Sequence, residues 1–198
     1  MFDLRPLAFI VGCLLAAFGV AMLLPAMFDL ANGHKDWQGF LFSALVTLFA
    51  GASLAFVGRG PSGEAPSALN LQQAFSLTTV SGIALALFGA IPFTLVSANL
   101  DFTGAFFESL SGLTTTGATV MTGLDQSPSG ILVWRGLLQW IGGIGIVVAA
   151  TAIMPTLRVG GMQLFRIESS SLSEKFLPRL GQIAGARGLV YLLLSLAC

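Results

Sequence analysis

The stretch FFESLSGLTTTGATVMTG, residues 106–123, interrupts a chain that is otherwise mostly apolar. The segment NLDFTGAFFESLSGL, residues 99–113, is helix-like but too short to cross a membrane. The threonine-rich part follows it, and the stretch carries no charge after Glu108. β-Branched threonines favour extended backbone, and Gly117 can adopt a positive φ angle. The stretch therefore predicts a short helix that ends in an irregular loop.

The composition places this loop in a membrane protein. The 198 residues are 55% hydrophobic and 9% charged, whereas soluble domains carry about 25% charged residues. Nine basic and nine acidic side chains give a formal net charge of zero. No overall field therefore points to nucleic acid, and membrane lipid is the predicted partner.

Four apolar runs are long enough to span a hydrocarbon core, which needs about 20 residues. They cover residues 6–28, 38–57, 75–98 and 131–155. Trp134 and Trp140 lie toward one end of the fourth run, as interfacial aromatic residues do. We therefore expect an all-α, polytopic membrane protein.

Basic residues in the short loops predict its orientation. With the N-terminus in the cytoplasm, most of them fall on the cytoplasmic side: Arg5, Arg59, Arg158, Arg166, Lys175, Arg179 and Arg187. The opposite side holds Lys35 and, near its edge, Arg135, for which an interfacial anchor is favoured over a pore-lining role. The connector over residues 158–187 either lies on the inner membrane surface or docks a cytosolic regulator.

The loop between the third and fourth runs is predicted to be re-entrant, because irregular backbone at membrane depth needs protein or a water-filled cavity around it. A row of backbone carbonyls can replace a cation's hydration shell. The C-terminal end of the short helix adds roughly −0.5 elementary charge. The loop has no carboxylate, which favours a monovalent cation. The predicted ion-binding residues are Thr114, Thr115, Thr116, Gly117 and Ala118.

Other interpretations stay open for the same residues. The threonines and Gly117 would, in one of them, only cap a short interfacial helix. Glu108 either braces the loop from behind or faces water at the extracellular mouth. A purely structural loop would indicate a membrane scaffold or assembly protein. An enzyme is disfavoured, because the sequence shows no nucleophile and base pair, metal cluster or phosphate loop.

Three separated strings carry a family resemblance. They are FFESLSGLTTTGATV from residue 106, LLQWIGGIGIVV from residue 137 and GGMQLFRIESSSLSEKFLPR from residue 160. Together they resemble the Trk/Ktr/HKT superfamily of potassium transporters, most closely the TrkH type. The resemblance implies a potassium-channel-like fold, in which four helix–pore loop–helix repeats surround one axis and this chain holds the first. It also implies K⁺ binding by the backbone carbonyls of Thr115 and Thr116, with Glu108 and Thr119 as filter support.

The same resemblance implies a domain organisation and partners. Residues 1–62 would form two leading transmembrane helices, 63–158 the first repeat, 159–187 a cytoplasmic connector and 188–198 the truncated start of a second repeat. The implied function is potassium uptake across the bacterial inner membrane, with proton or sodium coupling left open. K⁺ would be the transported ion, with no covalently bound cofactor. The implied partners are a second copy, in a homodimer when full length, and a TrkA-like cytosolic nucleotide-binding regulatory subunit.

Overall fold

A computed structural model of the chain describes residues 4–59, 71–96 and 100–153. Its helices are α1 (Arg5–Ala21), α2 (Leu23–Ala31), α3 (Trp37–Gly58), α4 (Leu71–Leu95), α5 (Phe102–Leu113) and α6 (Ser129–Ile153), with a 3₁₀ turn at Leu124–Gln126. These ranges contain no strand, so the all-α prediction is confirmed. The connector over residues 159–187 and the start of a second repeat over 188–198 lie outside the described residues.

The chain divides into two compact units, Met1–Gly142 and Gly143–Cys198. The first unit contains α1 to α5 and the first part of α6. Of the second unit, the structure describes residues 143–153, which continue α6.

Three helical segments in the described ranges are long and apolar enough to cross a membrane. They are Arg5–Ala31, Trp37–Gly58 and Phe75–Leu95, and they coincide with the first three predicted runs. The first segment comprises both α1 and α2, which meet at Met22. Pro25 explains this break, because it lacks the N–H group that would donate to the carbonyl of Ala21. The fourth predicted run begins in α6 and follows it as far as residue 153.

Small residues bring α1 and α3 into close contact. A Cβ atom on Gly51 would lie 2.6 Å from the backbone nitrogen of Ala16 and 2.8 Å from the carbonyl oxygen of Gly12. Neither backbone group can yield as a flexible side chain would. The two helices therefore pack through glycine, as membrane helices do when their backbones approach closely.

We expect a Gly51→Val variant to lose about 2 kcal/mol of stability, because the added side chain must push α1 away from α3. Thermal unfolding of the purified protein in detergent measures this loss. Gly82→Val is the matched control, since a Cβ atom on Gly82, in α4, meets nothing within 4 Å. Equal melting temperatures for the two variants would contradict the close contact.

Trp134 of α6 lies at the centre of the core. Its side chain is fully buried, and its ring centroid is 5.1 Å from that of Phe18 and 6.5 Å from that of Phe40. The indole N–H donates to the carbonyl of Gly89 at 3.1 Å. The interfacial position predicted for Trp134 is therefore wrong. A backbone carbonyl of α4 supplies the hydrogen-bond partner that tryptophan commonly finds at the headgroups.

A buried carboxylate joins α2 to the start of α6. Asp29 is fully buried, and its Oδ1 atom accepts a hydrogen bond from the backbone N–H of Gly130 at 2.6 Å. Beside it, the side-chain amide of Asn32 donates to the hydroxyl of Ser129 at 3.1 Å. The first N–H groups of a helix lack helical acceptors and attract negative charge. Asp29 therefore caps α6 from 101 residues away.

Candidate ion-binding site

The short helix predicted before the irregular loop is α5. Its 12 residues measure about 18 Å at 1.5 Å per residue, well short of a hydrocarbon core of roughly 30 Å. The side chain of Asp101 caps the first turn by accepting a hydrogen bond from the N–H of Gly104 at 3.0 Å. The other end, where the helix dipole is negative, leads directly into residues 114–121, which we call the threonine loop.

Two residues in the first half of the threonine loop have left-handed conformations, Thr115 at φ 56° and Gly117 at φ 73°. The N–H of Thr115 donates to Gly112 at 2.9 Å, and the N–H of Thr116 donates to Ser111 at 3.0 Å. The N–H of Gly117 also points to the Ser111 carbonyl, at 3.4 Å. These bonds satisfy the carbonyls that the end of a helix leaves open. The loop thus caps α5, as the structural interpretation of the threonines expected.

Capping uses the N–H groups of the loop and leaves most of its C=O groups open. In residues 4–59, 71–96 and 100–153, no hydrogen bond reaches the carbonyl oxygens of Thr114, Thr115, Thr116 and Gly117. Ala118 differs, because its carbonyl accepts the Ser111 hydroxyl at 2.7 Å. All five residues are exposed. Open carbonyls on consecutive residues are the donor set that coordinates a dehydrated cation.

The carboxylate of Glu108 holds the second half of the loop. Glu108 is 2% exposed, so it does not face water. Its Oε1 atom accepts three hydrogen bonds: from the Thr119 hydroxyl at 2.6 Å, the Val120 N–H at 2.6 Å and the Met121 N–H at 3.2 Å. The Thr119 hydroxyl oxygen also accepts from the Met121 N–H at 3.1 Å. The side of the loop that faces α5 is therefore fixed by one buried charge.

Arg135 of α6 supplies the opposite charge. Its Nη1 atom forms an ion pair with Oε2 of Glu108 and donates to the Thr119 hydroxyl oxygen at 3.0 Å. The interfacial anchor favoured from the sequence is wrong, because the guanidinium points to a buried partner and not to headgroups. The sequence does contain a signal for this pair: Glu108 and Arg135 are opposite charges within apolar surroundings, and pairing lowers the free-energy cost of burying them.

Comparison with known proteins identifies the family of this chain. A family model for TrkH, a cation transport protein, matches residues 42–198. The chain belongs to the TrkH family. The Trk system potassium uptake protein TrkH of Vibrio parahaemolyticus serotype O3:K6 is 42% identical over 199 residues, which cover 98% of this chain and 40% of that protein. The protein of the same name from Escherichia coli K12 is 41% identical over 197 residues, with the same coverage of 98% and 40%.

A solved structure of the TrkH family has the same fold. The crystal structure of the potassium transporter TrkH from Vibrio parahaemolyticus matches with a TM-score of 0.79 and 39% identity, covering 100% of this chain and 38% of that one. The family resemblance read from the three strings is confirmed, and so is a polytopic membrane protein. The chain spans about two fifths, 40%, of the length of the curated TrkH relatives. The ion-binding and support roles of the threonine loop and Glu108 remain predictions.

Proposed function

We propose that the complete protein takes up potassium across the bacterial inner membrane, through a selectivity filter to which the threonine loop contributes one quarter. The observation that carries this proposal is the row of open carbonyls from Thr114 to Gly117, placed at the C-terminal end of a half-length helix. The names of the relatives, Trk system potassium uptake proteins, support the choice of ion.

In the proposed mechanism, K⁺ sheds water as it enters the filter, and the carbonyls of Thr115 and Thr116 replace part of its hydration shell. Thr114 and Gly117 extend the row of ligands. Ala118 also contributes, because a carbonyl oxygen has two lone pairs and the Ser111 hydroxyl uses one. The negative end of α5 disfavours anions. The membrane potential drives the ion inward with about 2.3 kcal/mol per charge per 100 mV.

The organisation proposed around this filter follows the sequence. The distribution of arginine and lysine supports a cytoplasmic N-terminus. The resemblance implies a homodimer and a TrkA-like regulatory subunit, which we propose for the complete protein, and coupling to H⁺ or Na⁺ is compatible with the same filter. In this proposal the protein acts as a transporter and not as an enzyme, and transport involves no covalent step.

The test is ion flux through the complete protein reconstituted in proteoliposomes. We expect an imposed potential, negative inside, to drive K⁺ entry, and Na⁺ entry to be at least about tenfold slower, which corresponds to 1.4 kcal/mol of discrimination. Empty liposomes give the background, and a reversed potential must reverse the flux. Intact, folded protein that carries no K⁺ would contradict the proposal and favour the scaffold interpretation.

A further inference from the structure

We propose that Arg135 is a positioning residue that sets the ion selectivity of the filter by holding Glu108 against the backbone of the threonine loop. The inference rests on the proposed function. It adds a residue of α6 to a filter for which the sequence predicted only residues of α5 and of the threonine loop. Within the described residues, the polar contacts of Arg135 are with Glu108, Thr119 and Met121 and not with the open carbonyls. Arg135 acts through the carboxylate of Glu108 and the hydroxyl of Thr119.

The face of α6 that carries Arg135 lies next to the threonine loop. Gln139 follows Arg135 by one helical turn, so both side chains project from the same face. Both line a cavity of about 10 Å³ together with Gly117 and Ala118. A Cβ atom on Gly117 would lie 3.3 Å from the side-chain nitrogen of Gln139. Polar side chains of α6 therefore lie next to the threonine loop at Gly117 and Ala118.

The two oxygens of Glu108 have separate partners. Oε1 receives the hydroxyl of Thr119 and the N–H groups of Val120 and Met121. Oε2 receives Arg135. A carboxylate that is 2% exposed keeps its charge only if that charge is compensated. Without Arg135, Glu108 gains a proton or turns toward water, and either change weakens its hold on the loop backbone.

Loss of the contact between Glu108 and residues 119–121 affects the ion site, because these residues directly follow the proposed carbonyl ligands of residues 114–118. Thr119 directly follows Ala118, so movement of the Thr119–Met121 backbone turns the preceding carbonyls. Selectivity in a carbonyl filter depends on the size of the site and on the number of dipoles that reach the ion. The ion pair of Arg135 and Glu108 has no net charge, so Arg135 can lie near a cation pathway without strongly repelling the cation.

The experiment compares K⁺ and Na⁺ permeability in proteoliposomes containing the complete protein with Arg135→Gln, Arg135→Lys or Arg59→Gln. Arg59, at the C-terminal end of α3, is the matched control. Its guanidinium lies 5.9 Å from the ring centroid of Phe9 in α1, so its contact does not involve the threonine loop. We expect Arg135→Gln to lower the K⁺/Na⁺ permeability ratio about tenfold while K⁺ flux persists, which corresponds to loss of roughly one charged hydrogen bond. Arg135→Lys keeps the charge and should give an intermediate ratio. Arg59→Gln should leave the ratio unchanged.

Melting temperature separates positioning from folding. A purely structural Arg135 would lower the melting temperature and the amount of active protein without altering the ratio in the molecules that remain. Unchanged ratios in both Arg135 variants would overturn the inference, and Arg135→Lys alone decides the matter if Arg135→Gln does not fold. Wild-type protein without selective flux would instead overturn the proposed function on which the inference rests.

Discussion

A Gly117→Val variant of the complete protein will carry no potassium-selective flux. Gly117 has a φ of 73°, and L-residues pay about 1–2 kcal/mol in this left-handed conformation. The free-energy cost of this conformation is larger for valine, because its side chain is branched at Cβ. Its Cβ atom would also press against the side chain of Gln139. The loop relieves both costs by leaving the left-handed conformation, which moves the open carbonyls out of their present positions. Reversal potentials in mixed K⁺ and Na⁺ solutions measure the lost selectivity.

Gly123 provides a control with the same backbone conformation. Its φ is 70°, and a Cβ atom on it meets nothing within 4 Å. Gly123→Val therefore carries a similar backbone penalty outside the threonine loop, and we expect it to keep potassium selectivity. Selectivity that survives in Gly117→Val, or that disappears equally in Gly123→Val, would contradict the filter role of Gly117.

The second large effect is expected at the junction of α2 and α6, where Gly130→Val should destabilise the protein by about 3 kcal/mol. A Cβ atom on Gly130 would lie 2.7 Å from Oδ1 of Asp29, inside the carboxylate that caps α6. The collision must displace a buried charge or the start of the helix. Thermal unfolding in detergent measures the loss. Gly136→Val lies in the same helix and meets nothing within 4 Å, so it controls for the introduction of valine into α6.

A smaller substitution separates collision from capping. Gly130→Ala in the wild-type background meets the Asp29 carboxylate, whereas in an Asp29→Ala background that space is free. The Asp29→Ala change alone should cost about 1–3 kcal/mol, because the buried N–H of Gly130 loses its acceptor. Gly130→Ala should then add little to it. Strictly additive losses would show that the two residues are independent and that the junction is described wrongly.

The sequence predicted the features that depend on local pattern. Runs of about 20 apolar residues identify membrane helices without knowledge of their neighbours, and the first three predicted runs coincide with helical segments of the structure. The short helix before the threonine loop was likewise predicted from its length. Gly117 was singled out because a glycine among β-branched residues indicates an unusual backbone angle, and its φ is 73°.

Features that depend on distant partners could not be read from the same patterns. Arg135 and Glu108 are 27 residues apart, Trp134 and Gly89 are 45 apart, and Gly130 and Asp29 are 101 apart. A charged or amphipathic side chain near the end of a span fits an interfacial position equally well, and only the packing of other helices decides otherwise. The break at Met22 is different, because Pro25 is a local signal in the sequence and predicts an interruption of the first span.

The two partners of the junction between α2 and α6, Asp29 and Gly130, are 101 residues apart in the chain. Translation proceeds from the N-terminus, so the acceptor has left the ribosome long before the amide of Gly130 is made. The carboxylate that accepts from the start of α6 is therefore already present when α6 is synthesised. A variant that begins after α2 would lack Asp29, and the N–H of Gly130 would lose this acceptor.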